Sequence, residues 1–222
     1  MSSWTGFFIS LEGIDGAGKS TQSAALAGEL SRAGHEVVTL RPSDTQLGDL
    51  VRGYLLQHHR VRVDPWTEAL LFTAGRVQLL RERILPALAG GAVVIADRYA
   101  DSTLAYQGAG RGLPLPALRW LHAEACGDVW PDLTFLLELP RRVAEDRQRS
   151  QQLPLDRFES TANGFHLDVQ QGFEELAAAD PERFVRIDAG RAPAAVLAEI
   201  SAVALRRLAE RRVVAPRRED PR

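Results

Sequence analysis

The stretch Gly13-Ile14-Asp15-Gly16-Ala17-Gly18-Lys19-Ser20, followed at once by Thr21, decides the fold of this chain. It reads G-x-x-x-x-G-K-S. The apolar run Phe7-Phe8-Ile9-Ser10-Leu11 precedes it, and an Ala/Leu-rich helical pattern follows it. A strand that turns into a helix through glycines aims backbone N–H groups at an anion, and the helix dipole adds to the attraction. Lys19 then reaches the β- and γ-phosphates of a nucleoside triphosphate, and the Ser20 hydroxyl binds Mg²⁺. Gly13, Gly16, Ala17, Gly18 and Thr21 complete the cradle. A glycine turn that merely capped a helix would need neither the lysine nor the hydroxyl.

Outward from this loop, apolar runs alternate with helical patterns. Phe7–Leu11, Val37–Leu40, Ala92–Ala96, Leu133–Leu139 and Phe184–Ile187 read as strands, each short, apolar and bounded by Gly, Asp or Pro. Lys19–Ala33, Leu47–Leu56, Trp66–Leu88, Leu115–Ala125, Arg141–Arg149, Phe158–Ala179 and Pro193–Leu208 read as helices. Gly34 suits the stop of the first and Pro193 the first turn of the last. Apolar strands joined by helices predict an α/β fold with a parallel sheet covered on both faces. The length of 222 residues suffices for one such domain with a well-buried core. A formal net charge of −2 offers no large basic field for nucleic acid. Cys126 is the single cysteine and has no internal disulfide partner, which fits a cytoplasmic enzyme. No apolar run approaches a membrane span, and the start lacks a basic segment ahead of an apolar one. Residues 211–222, rich in arginine and proline, read as a frayed tail.

In open α/β sheets ligands bind beyond the carboxyl ends of the strands. That rule gathers three segments into one cleft: the loop after Leu11, the loop after Leu40, and Asp97-Arg98-Tyr99. An acid ending an apolar strand, paired with an upstream P-loop, is placed to hold Mg²⁺, so Asp97 joins Ser20 as a candidate metal ligand. The planar guanidinium of Arg98 suits a phosphate. Asp15 lies inside a loop that cradles phosphates, which its charge would repel. It either faces a second ligand or the metal, or is a solvated acid capping the turn. A second arginine cluster, Arg141, Arg142, Arg147, Arg149 and Arg157, surrounds Ser150-Gln151-Gln152 and Pro154. It reads equally as a lid that neutralises charge during phosphoryl transfer or as an exposed basic helix end.

These segments together resemble the thymidylate kinase family of nucleoside monophosphate kinases. The resemblance rests on Phe8 to Gln22, Leu71-Phe72-Thr73-Ala74-Gly75-Arg76, Asp97-Arg98-Tyr99 through Ser102 to Ala105-Tyr106-Gln107-Gly108, Asp156-Arg157-Phe158-Glu159, and Ile187-Asp188-Ala189. It spans about residues 7 to 205. It implies a P-loop three-layer sandwich: one domain over residues 1–210, with a five-stranded parallel sheet flanked by helices and a lid near residues 147–157. It implies transfer of the ATP γ-phosphoryl group to dTMP, giving dTDP and ADP, with Mg²⁺ as cofactor and a homodimer as the assembly. By position, Phe72 stacks on the thymine and Arg76 hydrogen-bonds it, with Ser102 and Gln107 at its edge. Tyr106 sits near the 2′ position of the sugar, Arg98 grips the acceptor phosphate, and Asp15 contacts the 3′-hydroxyl or the metal shell.

Some members of the family carry a catalytic arginine in the P-loop and others in the lid. Here the loop offers Gly16, so the lid supplies it, with Arg149 or Arg147 as candidates. The other reading of Arg147 is a cover for the adenine, with Arg191 in the loop around Asp188. After the second strand many bacterial members read Arg-Glu-Pro-Gly-Gly-Thr, whereas this chain reads Leu40-Arg41-Pro42-Ser43-Asp44-Thr45. Arg41 is then the candidate for acceptor-phosphate contacts, with Arg52 assisting from the next helix. Two other readings stay open: a different pyrimidine acceptor such as dUMP, and a nucleotide-dependent switch with no acceptor.

Overall fold

A computed structural model describes residues 4–57, 62–150 and 163–214. Five strands, β1 (Phe7–Glu12), β2 (Val37–Leu40), β3 (Val93–Asp97), β4 (Leu133–Glu138) and β5 (Phe184–Asp188), form one sheet in the order β2-β3-β1-β4-β5. Every pairing is parallel. β1, β3 and β4 are almost wholly buried, as expected of parallel strands covered on both faces.

On one face α1 (Lys19–Arg32) packs with α9 (Pro193–Val214), and Leu26, Leu30, Val196 and Ile200 bury against Ile9, Leu11 and Phe135. The other face carries two clusters. One is built around Phe8, Leu40, Leu80, Ile84 and Val94, the other around Leu104, Tyr106, Phe165 and Phe173. α2 (Gln46–Gln57), α3 (Pro65–Leu79), α6 (Leu115–Cys126) and α8 (Asn163–Ala179) lie in this layer, while α7 (Arg141–Ser150) follows β4. The result is a three-layer α/β sandwich.

The helix read over Trp66–Leu88 is segmented. α3 runs into a wider π-helical turn at Leu80–Ile84 and then into α4 (Leu85–Ala89). Pro86 follows the π-helical turn inside this continuous helix, where its missing N–H and its ring against the preceding turn favour the local widening. The motif after β3 is also helical: α5 (Ala100–Thr103) leads into a π-helical turn at Leu104–Gly110. α9 continues through Val214, past the expected start of a tail, because Arg211 reaches Asp132 at 2.5 Å and lies over the Phe7 ring. The expected helix start at Phe158 and the segment Asp156–Glu159 lie outside the described residues.

The strand order reverses direction between β1 and β3, so their carboxyl ends open a crevice there. Register places Leu11 opposite Asp97, and the Arg98 N–H donates to the Leu11 carbonyl at 3.1 Å. The P-loop and the Asp97-Arg98 corner are thus neighbours by sheet geometry.

Candidate active site

The P-loop leaves β1 through glycines in left-handed backbone: φ is 133° at Gly13, 80° at Gly16 and 93° at Gly18. Gly18 caps α1 with no side-chain hydrogen bond, so the first-turn N–H groups face outward as an anion cradle. A Cβ at Gly16 would lie 2.6 Å from the Ala144 carbonyl oxygen of α7. The helix bearing Arg147 and Arg149 therefore packs directly over the position that an arginine would occupy in a P-loop-arginine relative.

The Lys19 ammonium is buried and donates to the carbonyls of Gly13 at 3.1 Å and Ile14 at 2.8 Å. Burial, together with the nearby Arg98 charge, pulls it down to about 8. Beside it the Ser20 hydroxyl donates to the Asp97 carboxylate at 2.5 Å. The structure therefore brings the two expected metal ligands together. Their hard oxygens fit Mg²⁺, which takes one or two protein oxygens along with phosphates and waters. Among the described residues no cluster of three or more His, Cys, Asp or Glu forms a metal cage.

Arg98 is the hub of the next layer. Its backbone is left-handed, φ 76°, a strained choice for a residue with a side chain. Its guanidinium donates to the Gly13 carbonyl at 2.9 Å, to Ser102 Oγ at 3.0 Å, to Tyr106 Oη at 3.2 Å and to the Asp15 carboxylate. Tyr106 Oη in turn donates to Asp15 at 2.8 Å. Burial alone would raise the Asp15 carboxyl, but Arg98 and Lys19 outweigh it and hold it far below the ordinary carboxylate range. Asp15 thus turns toward Arg98 and Tyr106 and lines the neighbouring cavity. Tyr106 is fixed edge-on against Phe165 and Phe173.

Sequence reading assigned no role to Glu12, the last residue of β1. It is fully buried and accepts the Tyr99 backbone N–H at 2.7 Å and the Ser102 hydroxyl at 2.6 Å. It therefore clamps the turn that carries Arg98. Burial and repulsion from Asp101 push its carboxyl up to about 7, against opposing pulls from Ser102 and Arg98.

Next to Arg98 lies a cavity that opens to solvent and is lined by Asp15, Arg52, Phe72, Arg76, Arg98, Ser102, Tyr106 and Gln107 among others. All the expected acceptor-site residues converge here except Arg41, which is not among the lining residues. Its side chain is 65% exposed and sits 3.7 Å from Asp44, whose carboxylate also accepts the Arg41 N–H at 2.8 Å. Asp44 ties that loop to itself. Arg52 on α2 faces the cavity instead. Two further contacts went unread: Arg76 donates to Thr103 Oγ1, and Gln107 donates to the buried Glu68.

On the other side of the P-loop, Arg147 donates to the Ala189 carbonyl at 3.0 Å, and Arg191 to the Asp188 carbonyl at 3.3 Å. The two residues expected near an adenine thus meet at the end of β5. Arg149 points elsewhere: it is 72% exposed, within 4 Å of Glu145 and Asp146. Thr21 is exposed in the first turn of α1. Arg157 lies outside the described residues.

A family model described as Thymidylate kinase matches residues 11–200. The thymidylate kinase of Deinococcus radiodurans is 49% identical over 196 residues, 88% of this chain and 94% of that protein. That of Thermomicrobium roseum is 47% identical over 191 residues, 86% and 90% of the two chains. That of Cereibacter sphaeroides is 48% identical over 202 residues, covering 89% and 93%.

Proposed function

The chain belongs to the thymidylate kinase family, and we propose that it transfers the γ-phosphoryl group of ATP to the 5′-phosphate of dTMP, giving dTDP and ADP. The observation that carries this reading is the Asp15–Arg98–Tyr106 junction, where the phosphate cradle meets the cavity lined by Phe72 and Arg76. A phosphate acceptor is already nucleophilic at neutral pH, so the site needs no strong general base. Rate comes from alignment and from charge placed where it develops.

Lys19 and the first turn of α1 hold the donor phosphates. Ser20 and Asp97 would hold Mg²⁺, which would neutralise phosphate charge during the transfer. Arg98, balanced by Asp15, grips the acceptor phosphate. Phe72 stacks on the base and Arg76 and Gln107 read its edge, while Tyr106, braced by two phenylalanines, walls the sugar's 2′ side. Arg52 assists at the acceptor phosphate from within the cavity, a better-placed cation than Arg41. Arg147 and Arg191 frame the adenine, which leaves Arg149 as the lid arginine of the transfer step.

A homodimer and a cytoplasmic location complete the proposal. Trp66 and Leu70 on α3 and Trp120 on α6 are exposed apolar side chains that a partner could cover, which supports the dimer. No helix among the described residues is long and apolar enough to cross a membrane.

A coupled ADP-release assay with dTMP, dUMP, dCMP and dGMP tests the reading. Turnover should be fastest with dTMP and negligible without an acceptor. Acceptor-independent ATP hydrolysis, or equal rates across the panel, would contradict it.

A further inference from the structure

Gln107 is fully buried except where it meets the cavity, and its amide nitrogen donates to Glu68 Oε1 at 2.9 Å. Glu68 lies in the first turn of α3 and is itself inaccessible to solvent. Arg111 balances it through a two-pronged contact, Nε to Oε1 at 3.3 Å and Nη2 to Oε2 at 3.4 Å, with its guanidinium 4.5 Å from the Phe165 ring centroid. A carboxylate offers acceptors only, so the face of Gln107 that meets Glu68 has to be the NH₂ group. The carbonyl Oε1 then points away from Glu68. No described residue donates to it, and it is not among the buried polar atoms lacking a partner, so it opens on the cavity.

We propose that Glu68 is a specificity-positioning residue: by fixing which end of the Gln107 carboxamide faces the cavity, it makes the wall an acceptor that selects an imide base over an amidine base. This rests on the reading of the cavity as the acceptor-nucleotide site. The ring N3–H of thymine or uracil is a donor and its O4 an acceptor. Those groups complement the Gln107 carbonyl and the Arg76 guanidinium. Cytosine presents an acceptor at N3 and a donor at N4, which sets like against like at both positions. Mismatched buried polar groups are where discrimination is largest. Without Glu68 the amide could rotate and meet cytosine N3 with its NH₂, so Gln107 alone does not encode the preference.

Glu68→Gln tests this. The replacement is isosteric, and its amide can meet Gln107 as donor or as acceptor. The readout is kcat/KM for dTMP, dUMP and dCMP on one preparation, so the ratios do not depend on the folded fraction. The dTMP-to-dCMP ratio should fall at least tenfold, while the dTMP-to-dUMP ratio, set by the 5-methyl group, stays within twofold. In a Gln107→Met background Glu68→Gln should leave the dTMP-to-dCMP ratio unchanged, because the effect travels through the amide. An unchanged dTMP-to-dCMP ratio in the single variant, or the same drop in both backgrounds, would overturn the inference. If the wild-type enzyme itself does not favour dTMP and dUMP over dCMP, the base-pocket reading falls, and this inference with it. That outcome is separate, because it appears before any variant is made.

Discussion

Replacing Glu12 with glutamine should remove a pH dependence of stability that the wild-type chain carries. Glu12 lies at zero exposure at the end of β1, and burial together with Asp101 raises its carboxyl from an ordinary 4.5 to about 7. The charged groups around it are Asp101, Arg98 and Lys19. Beyond Asp101 sits Arg183, its ion-pair partner at 2.6 Å. Between pH 4.5 and 7 the folded chain holds a proton on Glu12 that the unfolded chain releases. Stability therefore falls as pH rises through that window and gains as pH is lowered. With one pKa unit equal to about 1.4 kcal/mol, the wild type should gain roughly 2 to 3 kcal/mol over the glutamine variant between pH 8 and pH 5. For a chain of this size that corresponds to about 5 to 10 °C in Tm.

Urea melts of both proteins at pH 5, 6, 7 and 8 check this. Denaturant is preferable to heat, because the sequence pI of about 6.2 invites precipitation on heating. Groups that titrate alike in both proteins cancel in the difference. A gap that stays flat across the series, or that shifts in favour of the variant as pH falls, would refute the assignment of a raised acid at Glu12. Activity supplies a second readout. A neutral amide can accept from the Tyr99 N–H or the Ser102 hydroxyl but is a weaker clamp for both, and the strained Arg98 turn depends on that clamp. Turnover with dTMP, taken per folded enzyme, should drop on the order of tenfold at pH 8.

Three other perturbations separate roles. A Cβ at Gly48 would sit 2.0 Å from the Pro42 carbonyl oxygen, so Gly48→Ala must displace the start of α2 and with it Arg52. The expected result is a severalfold higher KM for dTMP with little change for ATP, and an unchanged KM for dTMP would contradict it. Arg183→Met strands Asp101, which is fully buried, and should cost about 3 to 5 kcal/mol in a urea melt; a loss under about 1 kcal/mol would show that the pair is dispensable. Arg147→Ala should raise the ATP KM, whereas Arg149→Ala should lower kcat by a hundredfold or so, as loss of a transition-state contact does. The reverse split would exchange the two assignments.

The sheet was legible because each strand is a short apolar run ended by Gly, Asp or Pro. The phosphate cradle was legible because glycine, lysine and serine have to stand at fixed spacing. Neither signal extends to the acceptor wall. Gly108 and Gly110 argue against a helix, yet the segment is helical because Leu115 and Leu118 pack against the first and Phe165 and Val169 against the second. Tertiary packing overrides local propensity there. Glu68 stands three residues past Pro65, where an acid favoured by the helix dipole is ordinary. Its contacts with Gln107 and Arg111, 39 and 43 residues away, help remove it from the surface. Glu12 hides in the same manner behind an apolar strand, since its partners Tyr99 and Ser102 come from the far side of the switch point. Residues that touch phosphate are fixed by local geometry, and so they leave a local pattern. Residues that orient those contacts are fixed by the crossing of distant segments. A carboxylate with no motif of its own can therefore decide how Arg98 and Gln107 face their ligand, and substitutions at Glu12 and Glu68 should change rate and base preference without touching the P-loop.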